Sequence, residues 1–218
     1  MFPTTHWSAL MPLQRRQLFE QLAGSYWRPL YLYARMKGLD HTTAEDVVQG
    51  LFTSLLQGDS FARLDRTKGR LRSYLKACLA HHLADRRDHA AAAKRGGDVI
   101  QLPLDAAEHV QTPVSANPDV AYDRAWASAL VRRAFDRLRA EHGSDRRWEL
   151  IELYFAGDCP AQDVLAMRFD MSIPQIKSLL HRARARFRRL VREEVLATVA
   201  TPDGLPDELA LIETYGFS

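Results

Sequence analysis

The sequence predicts an all-α protein in which two small helical domains are joined by a flexible linker. Signals for β-strands are almost absent, and apolar residues recur at steps of three and four, as they do on one face of a helix. Glycine, proline and helix-capping residues stand where these stripes begin and end. Between Gly96 and Pro118 the stripes give way to glycines and prolines without a long apolar period, which is typical of a linker. We therefore predict an N-terminal extension (1–12), a first helical domain (13–97), the linker (98–118), a second helical domain (119–197) and an acidic tail (198–218).

The charged residues are unevenly distributed: the chain before Glu193 is basic and the stretch from Glu193 to Ser218 is acidic. The 218 residues have a formal net charge of +3, yet the stretch from Glu193 to Ser218 has six acidic residues and no lysine or arginine. A basic body suggests a polyanionic partner, for which the tail would be a partial competitor. Cys78 and Cys159 belong to no disulfide framework and fit a reducing compartment as small buried residues. No run reaches the length of a membrane span and no signal segment is found, so we expect a cytoplasmic protein without a membrane contact.

The first domain begins with two predicted helices, at 13–25 and 29–37, and Gly38 ends the second. A capping box at Thr42-Thr43-Ala44-Glu45 predicts where the third helix begins, and Gly58 ends it. The apolar side of this third helix consists of Ala44, Val47, Val48, Leu51, Phe52, Leu55 and Leu56. The opposite side is either a solvated face or a contact surface, and it contains Glu45, Asp46, Gln49 and Thr53.

A basic helix is predicted at 70–94. Its inward positions are Leu71, Leu75, Cys78, Leu79 and either His82 or Leu83. Basic residues with an interleaved aromatic ring suit single-stranded or melting DNA, because arginine follows the phosphates and the ring stacks on an exposed base. The residues placed there are Arg70, Arg72, Tyr74, Lys76, His81, Arg86 and Arg87. Alternatively, Tyr74 is half-buried core.

The same helix has one weak metal pattern. His81, Asp85 and His89 recur every four residues and so share a face. No further ligands close such a site, and the neighbouring Arg86 and Arg87 would repel a cation. An all-α metal-dependent phosphohydrolase is therefore a minor alternative.

The second domain begins with two more predicted helices. Asn117-Pro118 begins the first of them, which runs to about His142 and ends at Gly143. Its apolar stripe is Tyr122, Trp126, Ala129, Leu130, Ala134 and Leu138. Ser144 is expected to cap the next helix, which contains Trp148, Ile151, Leu153 and Phe155 and ends at Gly157.

A helix-turn-helix is predicted between Ala161 and Glu194. The turn is Asp170-Met171-Ser172, Ser172 is the expected N-cap of the longer second helix, and Pro174 fits the first turn of that helix. In the first helix, Val164, Leu165 and either Met167 or Phe169 are expected to pack across the turn. In the second, the buried stripe is Ile173, Ile176, Leu180, Ala183, Phe187 and Leu190.

The remaining faces of the second helix are polar and basic. No acidic residue occurs between Ile173 and Arg192. The helix begins with small polar side chains able to reach base edges and continues with arginines able to reach phosphates, as in a DNA-recognition helix. A solvated basic face is the alternative, and the helix before it favours DNA binding. The exposed residues are Ser172, Gln175, Lys177, Ser178, His181, Arg182, Arg184, Arg188, Arg189 and Arg192.

These parts, in this order, resemble a sigma factor of bacterial RNA polymerase, of the small extracytoplasmic-function type. Ala44-Glu-Asp-Val-Val-Gln-Gly-Leu-Phe52 is similar to the polymerase-docking helix of that family, and 70–87 to its promoter-melting helix. Residues 173–189, with Lys177-Ser178 and His181-Arg-Ala-Arg184, are similar to its upstream-element recognition helix. Phe2-Pro-Thr-Thr-His-Trp7 and Lys94-Arg-Gly-Gly97 resemble a subgroup with extensions at both ends.

The resemblance implies a sigma factor that binds core RNA polymerase and directs it to promoter DNA. The first domain would be region 2-like and the second region 4-like. Asp46, Gln49 and, on the same face, Thr53 would meet the polymerase. The melting set would be Arg70, Arg72, Tyr74, Lys76, His81, Arg86 and Arg87, at the −10 element. The −35 element would be read by Ser172, Gln175, Lys177, Ser178, His181, Arg182, Arg184 and Arg188.

The chain departs from the family pattern at five positions. Gly50 stands where an acidic residue is usual, which bears on docking strength. Tyr74 replaces a common tryptophan and His81 a common asparagine, so base capture is expected to differ chemically. Leu179 occupies a position that is more often basic, and Pro174 one that is often glycine.

Three further expectations concern function. No nucleophile motif, phosphate-binding loop or paired-carboxylate signature is present, so we expect no catalysis, cofactor, metal or small-molecule substrate. A stand-alone helix-turn-helix regulator that dimerises through its first domain remains the alternative. The tail is either a frayed end with a short helix, or an intramolecular brake or docking site for a regulatory protein such as an anti-sigma factor.

Overall fold

The computed structural model describes residues 13–57, 71–95, 117–143, 146–157, 159–199 and 204–216. Side chains at 13–19, 21, 56–57 and 85–95 lie outside the description. The described residues form eight helices and no sheet, which confirms the all-α class. The helices are α1 (Leu13–Met36), α2 (His41–Gln57), α3 (Leu71–Arg95), α4 (Pro118–His142), α5 (Arg146–Ala156), α6 (Gln162–Phe169), α7 (Ile173–Leu196) and α8 (Leu205–Tyr215).

Helix α1 is continuous where the sequence predicts two helices. Pro29 lies inside it and is buried. A proline there removes one backbone hydrogen bond, which normally bends or ends a helix. The apolar stripe nevertheless continues across Pro29, and burial of that stripe compensates for the lost bond. The prediction of a break at 26–28 was therefore wrong; the buried stripe is Leu22, Tyr26, Leu30, Tyr33 and Ala34.

The first turn of α2 is capped by Asp40, not by the predicted Thr42. The carboxylate of Asp40 accepts from both the backbone N–H and the hydroxyl of Thr43, each at 2.8 Å. These hydrogen bonds hold the pKa of Asp40 below its ordinary value. The apolar side of α2 is buried as predicted, from Ala44 to Leu55, and Trp27 of α1 stacks on Phe52 with ring centroids 5.7 Å apart.

The N-terminal half packs against α4 through α1, and Arg72 of α3 contacts both α4 and α8. Tyr33 of α1 and Tyr122 of α4 meet edge to face at 6.0 Å, and the Tyr122 hydroxyl donates to the carbonyl oxygen of Arg72 at 3.0 Å. Tyr122 and Trp126 have no solvent exposure. The described helices therefore share one core, with α4 in contact with helices of both halves. The predicted linker at 98–118 lies almost wholly outside the described residues, and the division into two domains stays a prediction.

Helix α8 shows that the end of the chain folds onto the rest. Leu205 and Ile212 are buried, and Gly216 at its end lies close to α4. A Cβ on Gly216 would lie 2.8 Å from Cγ2 of Val131. Among all the described helices, none has both the length and the apolar character needed to cross a bilayer.

Candidate nucleic-acid interface

The turn between α6 and α7 forms where the sequence predicts it. Helix α6 ends at Phe169, and Asp170 adopts the left-handed conformation with φ 52° and ψ 50°. The backbone N–H of Met171 then donates to the carbonyl oxygen of Ala166 at 3.1 Å. Aspartate is among the few residues other than glycine that tolerate this conformation, so Asp170 reverses the chain at little cost.

We expect Asp170→Val to destabilise the fold by about 1–2 kcal/mol, because a β-branched side chain meets the following carbonyl in the left-handed conformation. Asp170→Gly removes the same carboxylate without that clash and is the matched control. Chemical denaturation would measure both variants. Equal stability of the valine and glycine variants would contradict the strain argument.

The start of α7 is fixed by a reciprocal cap. The Ser172 backbone N–H donates to Oε1 of Gln175 at 2.8 Å, and the Gln175 backbone N–H donates to the Ser172 hydroxyl at 3.4 Å. Pro174 lies in the first turn, as predicted. The cap engages two of the residues predicted to contact bases. Ser172 and the side-chain oxygen Oε1 of Gln175 are hydrogen-bonded to each other. The side-chain NH2 group of Gln175 is left as the donor that can face a base.

The buried face of the helix-turn-helix differs from the predicted one at its edges. Leu165 and Phe169 of α6 are buried, whereas Val164 and Met167 are exposed, so the prediction for Val164 was wrong. Ile173 was also wrongly placed in the core and is 38 % exposed, since the first turn of α7 extends beyond the core. Leu179 is buried instead. A basic side chain there would lose its hydration, so leucine suits this particular packing.

The rest of α7 presents the predicted basic surface to solvent. Lys177, His181, Arg184 and Arg188 follow at steps of four, three and four and so form one exposed stripe. Ser178 and Arg182 are also exposed, further around the helix. The stripe extends over roughly 16 Å of the helix, at 1.5 Å per residue. Among the described residues, no carboxylate pairs with Lys177, Arg182, Arg188, Arg189 or Arg192.

A separate ion-pair network on the opposite edge fastens α7 to α4. Arg133 and Arg137 of α4 donate to the two carboxylate oxygens of Glu194 at 2.8 and 2.9 Å. Arg186 pairs with Glu141 and Glu193. The hydrogen bonds from Arg186 hold the pKa of the Glu141 carboxyl below its ordinary value. The ion pair between Arg186 and Glu141 therefore persists at neutral pH and is lost only as the pH falls through that lowered pKa. The acidic residues at the contact between α4 and α7 thus pair with arginines that do not belong to the exposed stripe.

Helix α5 supports the turn from the other side. Arg146 donates to the carbonyl oxygen of Arg168 at 2.6 Å, and Arg168 pairs with Glu149. Trp148, Leu150 and Ile151 of α5 are buried. Helix α7 is therefore held by packing on one face and by α4 and α5 at its edges.

The predicted melting set on α3 is only partly exposed. Tyr74 is 37 % exposed and His81 is exposed, whereas Lys76 is partly buried and pairs with Asp119 at 2.7 Å. Arg72 is buried between Asp123 and Glu208, so in this arrangement it does not reach solvent. Arg70 and the side chains of Arg86 and Arg87 lie outside the described part of the chain.

Two of the three residues predicted to bind polymerase on α2 are exposed. Asp46 and Gln49 are exposed, and Thr53 is half-buried with its hydroxyl donating to the carbonyl oxygen of Gln49 at 2.8 Å. Within the described part of the chain, no atom of another element lies within 4 Å of where a Cβ of Gly50 would stand. The position therefore has space for a larger side chain.

The metal pattern and the cysteines give no further site within the described residues. There, no three histidine, cysteine, aspartate or glutamate side chains gather as metal ligands would. In the set His81, Asp85 and His89, only the His81 side chain is described. Cys78 and Cys159 are unpaired thiols and are half-buried, less enclosed than predicted.

The sequence interpretation missed the partners of Arg72. Glu208 lies at steps of three and four from Leu205 and Ile212, so it falls on the apolar face of α8. An acidic residue on an apolar face signals a buried counter-charge and could have been noticed. Nothing local in the sequence identifies Arg72 as that counter-charge.

Comparison with protein-family models, with curated proteins and with solved structures finds no match to this chain.

Proposed function

We propose that this chain is a promoter-specificity subunit, a sigma factor of the extracytoplasmic-function type. It binds core RNA polymerase through the exposed face of α2 and reads promoter DNA through α7, with α3 at the melting element. The polymerase performs the chemistry, and the chain acts in the cytoplasm without a cofactor. In this role the two halves, which share one core in the described structure, would separate to read different promoter elements, with the linker between them.

The exposed face of α7 is the observation that supports this proposal most strongly. A capped helix follows a tight turn and presents Lys177, His181, Arg184 and Arg188 without carboxylate partners among the described residues. The small polar residues at its start suit base edges in a major groove, and the arginines suit phosphates. The acidic and amide face of α2, earlier in the chain, supplies the second surface that a tethered promoter reader requires. Tethering at two places raises the effective concentration of each weak contact.

A stand-alone helix-turn-helix regulator is the second candidate. The packing of α1 against α4 favours it, because one compact body suits a protein that binds duplex DNA by itself. Such a regulator binds its site without polymerase and would dimerise through α1–α3. A sigma factor instead changes where polymerase starts.

Run-off transcription with core RNA polymerase on a library of promoter fragments tests the proposal. Initiation at a defined subset of fragments, dependent on the added chain, is the expected result. Tight binding of the chain alone to duplex fragments, with no change in start sites, would favour the regulator.

The α2 face gives a paired prediction for docking. We expect Asp46→Ala to weaken binding to core polymerase by about 1.5–3 kcal/mol, as for a lost hydrogen bond to a charged group. Gly50→Glu should strengthen it, because the position has space and restores an acidic group beside Asp46. Titration of labelled chain with polymerase measures both, and circular dichroism controls for helicity. Unchanged affinity in both variants would remove α2 from the docking surface.

A further inference from the structure

A buried cluster of charges joins α3, α4 and α8. Arg72 donates from Nε to Oε2 of Glu208 at 3.1 Å and from Nη2 to Oε1 at 3.4 Å, and Nη1 pairs with Asp123. The side chains of Arg72 and Glu208 are 7 % and 1 % exposed. The ring of Trp126 lies 5.3 Å from the guanidinium carbon. The Arg72 guanidinium is thus surrounded by Glu208, Asp123 and the Trp126 ring.

Burying this cluster of charges contributes little net free energy to folding. Burial alone would lower the pKa of Arg72, but hydrogen bonds and charge from Glu208, together with Asp123, outweigh it and raise the pKa. Removing two charges from water costs about as much as their attraction returns, and apolar side chains of similar volume often serve stability equally well. A buried pair of this kind is best attested where it selects one arrangement of a chain over another.

Glu208 offers Arg72 what a DNA phosphate offers. Carboxylate and phosphate both accept a guanidinium through two parallel hydrogen bonds. The rest of α8 is also anionic, with Asp207 and Glu213 and no basic residue. Glu208 of α8 therefore binds Arg72 in the way that a phosphate of a single strand would bind it.

The remaining contacts of α8 show how the competitor is held. Leu205 and Ile212 are buried beside Glu208, and Arg124 of α4 lies over the Tyr215 ring at 5.8 Å. Gly216 allows the helix end to approach Val131, since any side chain there would clash with Val131 and with the carbonyl oxygen of Ile212. Apart from Glu208, these contacts do not depend on the charge of Arg72, so docking and charge can be altered separately.

We propose that α8 is an intramolecular competitor for DNA: Glu208 occupies Nε and Nη2 of Arg72 in place of a phosphate, Asp123 of α4 keeps Nη1, and DNA binding along α3 requires α8 to leave. The proposal builds on the function proposed above, because that function gives Arg72 a DNA partner. The affinity of the closed chain for DNA is then reduced by the fraction of molecules in which α8 is released.

Two variants test the competitor, and a third is the control. Glu208→Gln keeps the shape and removes the charge, whereas Gly216→Leu displaces the helix end and leaves every charge in place. Glu213→Gln makes the same change in net charge at an exposed position of α8. Hydrogen exchange of the α8 amides reports release of the helix. Anisotropy of a labelled single-stranded oligonucleotide of mixed sequence reports binding, at one fixed salt concentration.

We expect faster exchange in α8 and at least about fivefold tighter oligonucleotide binding for Glu208→Gln and Gly216→Leu, which corresponds to a fivefold larger released fraction. Glu213→Gln should match the wild type in exchange. Faster exchange without tighter binding than Glu213→Gln overturns the competitor, and so does unchanged exchange in both test variants. Failure of the proposed function is a different result: wild type and variants alike direct no initiation by core polymerase, whatever their oligonucleotide affinity.

Discussion

Trp126→Ala is expected to lower the free energy of unfolding by about 3–5 kcal/mol, the usual cost of removing a large aromatic side chain from a core. Trp126 has no solvent exposure and lies on α4. Its ring faces Arg72 of α3, and it belongs to the core that α1 shares with α4. The loss is a large part of a typical total stability of about 5–15 kcal/mol.

The same substitution should also change how the chain unfolds. Because α4 is in contact with both halves, the wild type is expected to unfold in one transition. Without Trp126 the contact between the halves weakens, and the transition should separate into two. Calorimetry with urea denaturation measures both effects, and Trp126→Phe, which keeps an aromatic ring in the cavity, should show a smaller loss and one transition. A loss below about 0.5 kcal/mol, in the range of surface substitutions, would show that Trp126 is no part of a shared core.

Local features of the fold were predictable from the sequence because short-range physics determines them. The stripes of α2, α4 and α7 follow from helical periodicity, and the cap at Ser172 follows from its hydroxyl and Gln175 three residues later. The cap of α2 was misplaced because Thr42-Thr43-Ala44-Glu45 fits the same pattern. Asp40, two residues earlier, has a carboxylate that reaches Thr43 with both oxygens.

Features that depend on tertiary packing were not predictable in this way. The continuity of α1 across Pro29 depends on the core that the helix joins. Ile173 continues the periodicity of α7 but extends past the core that buries the next turns. Arg72 meets Glu208 across 136 positions of the chain, so no local pattern could join them.

In the candidate site too, features set by one helix were predictable and features set by tertiary packing were not. The basic face of α7 was predictable as a surface, because it needs only one helix and the absence of acidic residues. The sequence does not predict which of these basic residues form ion pairs. Arg186 pairs with Glu141 of α4, whereas Arg182 and Arg188 have no described carboxylate partner. Substitutions of Arg182 and Arg188 therefore test function without removing an ion pair seen in the fold.

The combined variant Lys177→Ala, Arg182→Ala and Arg188→Ala should abolish most promoter binding. A lost side-chain contact to a base edge costs about 1–3 kcal/mol of discrimination, and a lost phosphate contact lowers the salt slope of binding by about 0.9. Three losses together therefore predict an affinity reduced at least about a hundredfold in the complex with polymerase, where each tenfold is about 1.4 kcal/mol. Stability should stay close to that of the wild type, since all three side chains are exposed.

Single variants distinguish the two kinds of contact. Lys177 lies near the helix start and should affect the choice among promoter sequences, because the first turns of a recognition helix meet base edges. Arg188, about 16 Å further along at 1.5 Å per residue, should weaken all sequences alike and flatten the salt dependence. Arg132→Ala removes an equal charge at an exposed position of α4 and is the matched control. If transcription with Lys177→Ala and with Arg182→Ala equals that of the control, α7 is a solvated basic face and the assignment of the −35 reader is wrong.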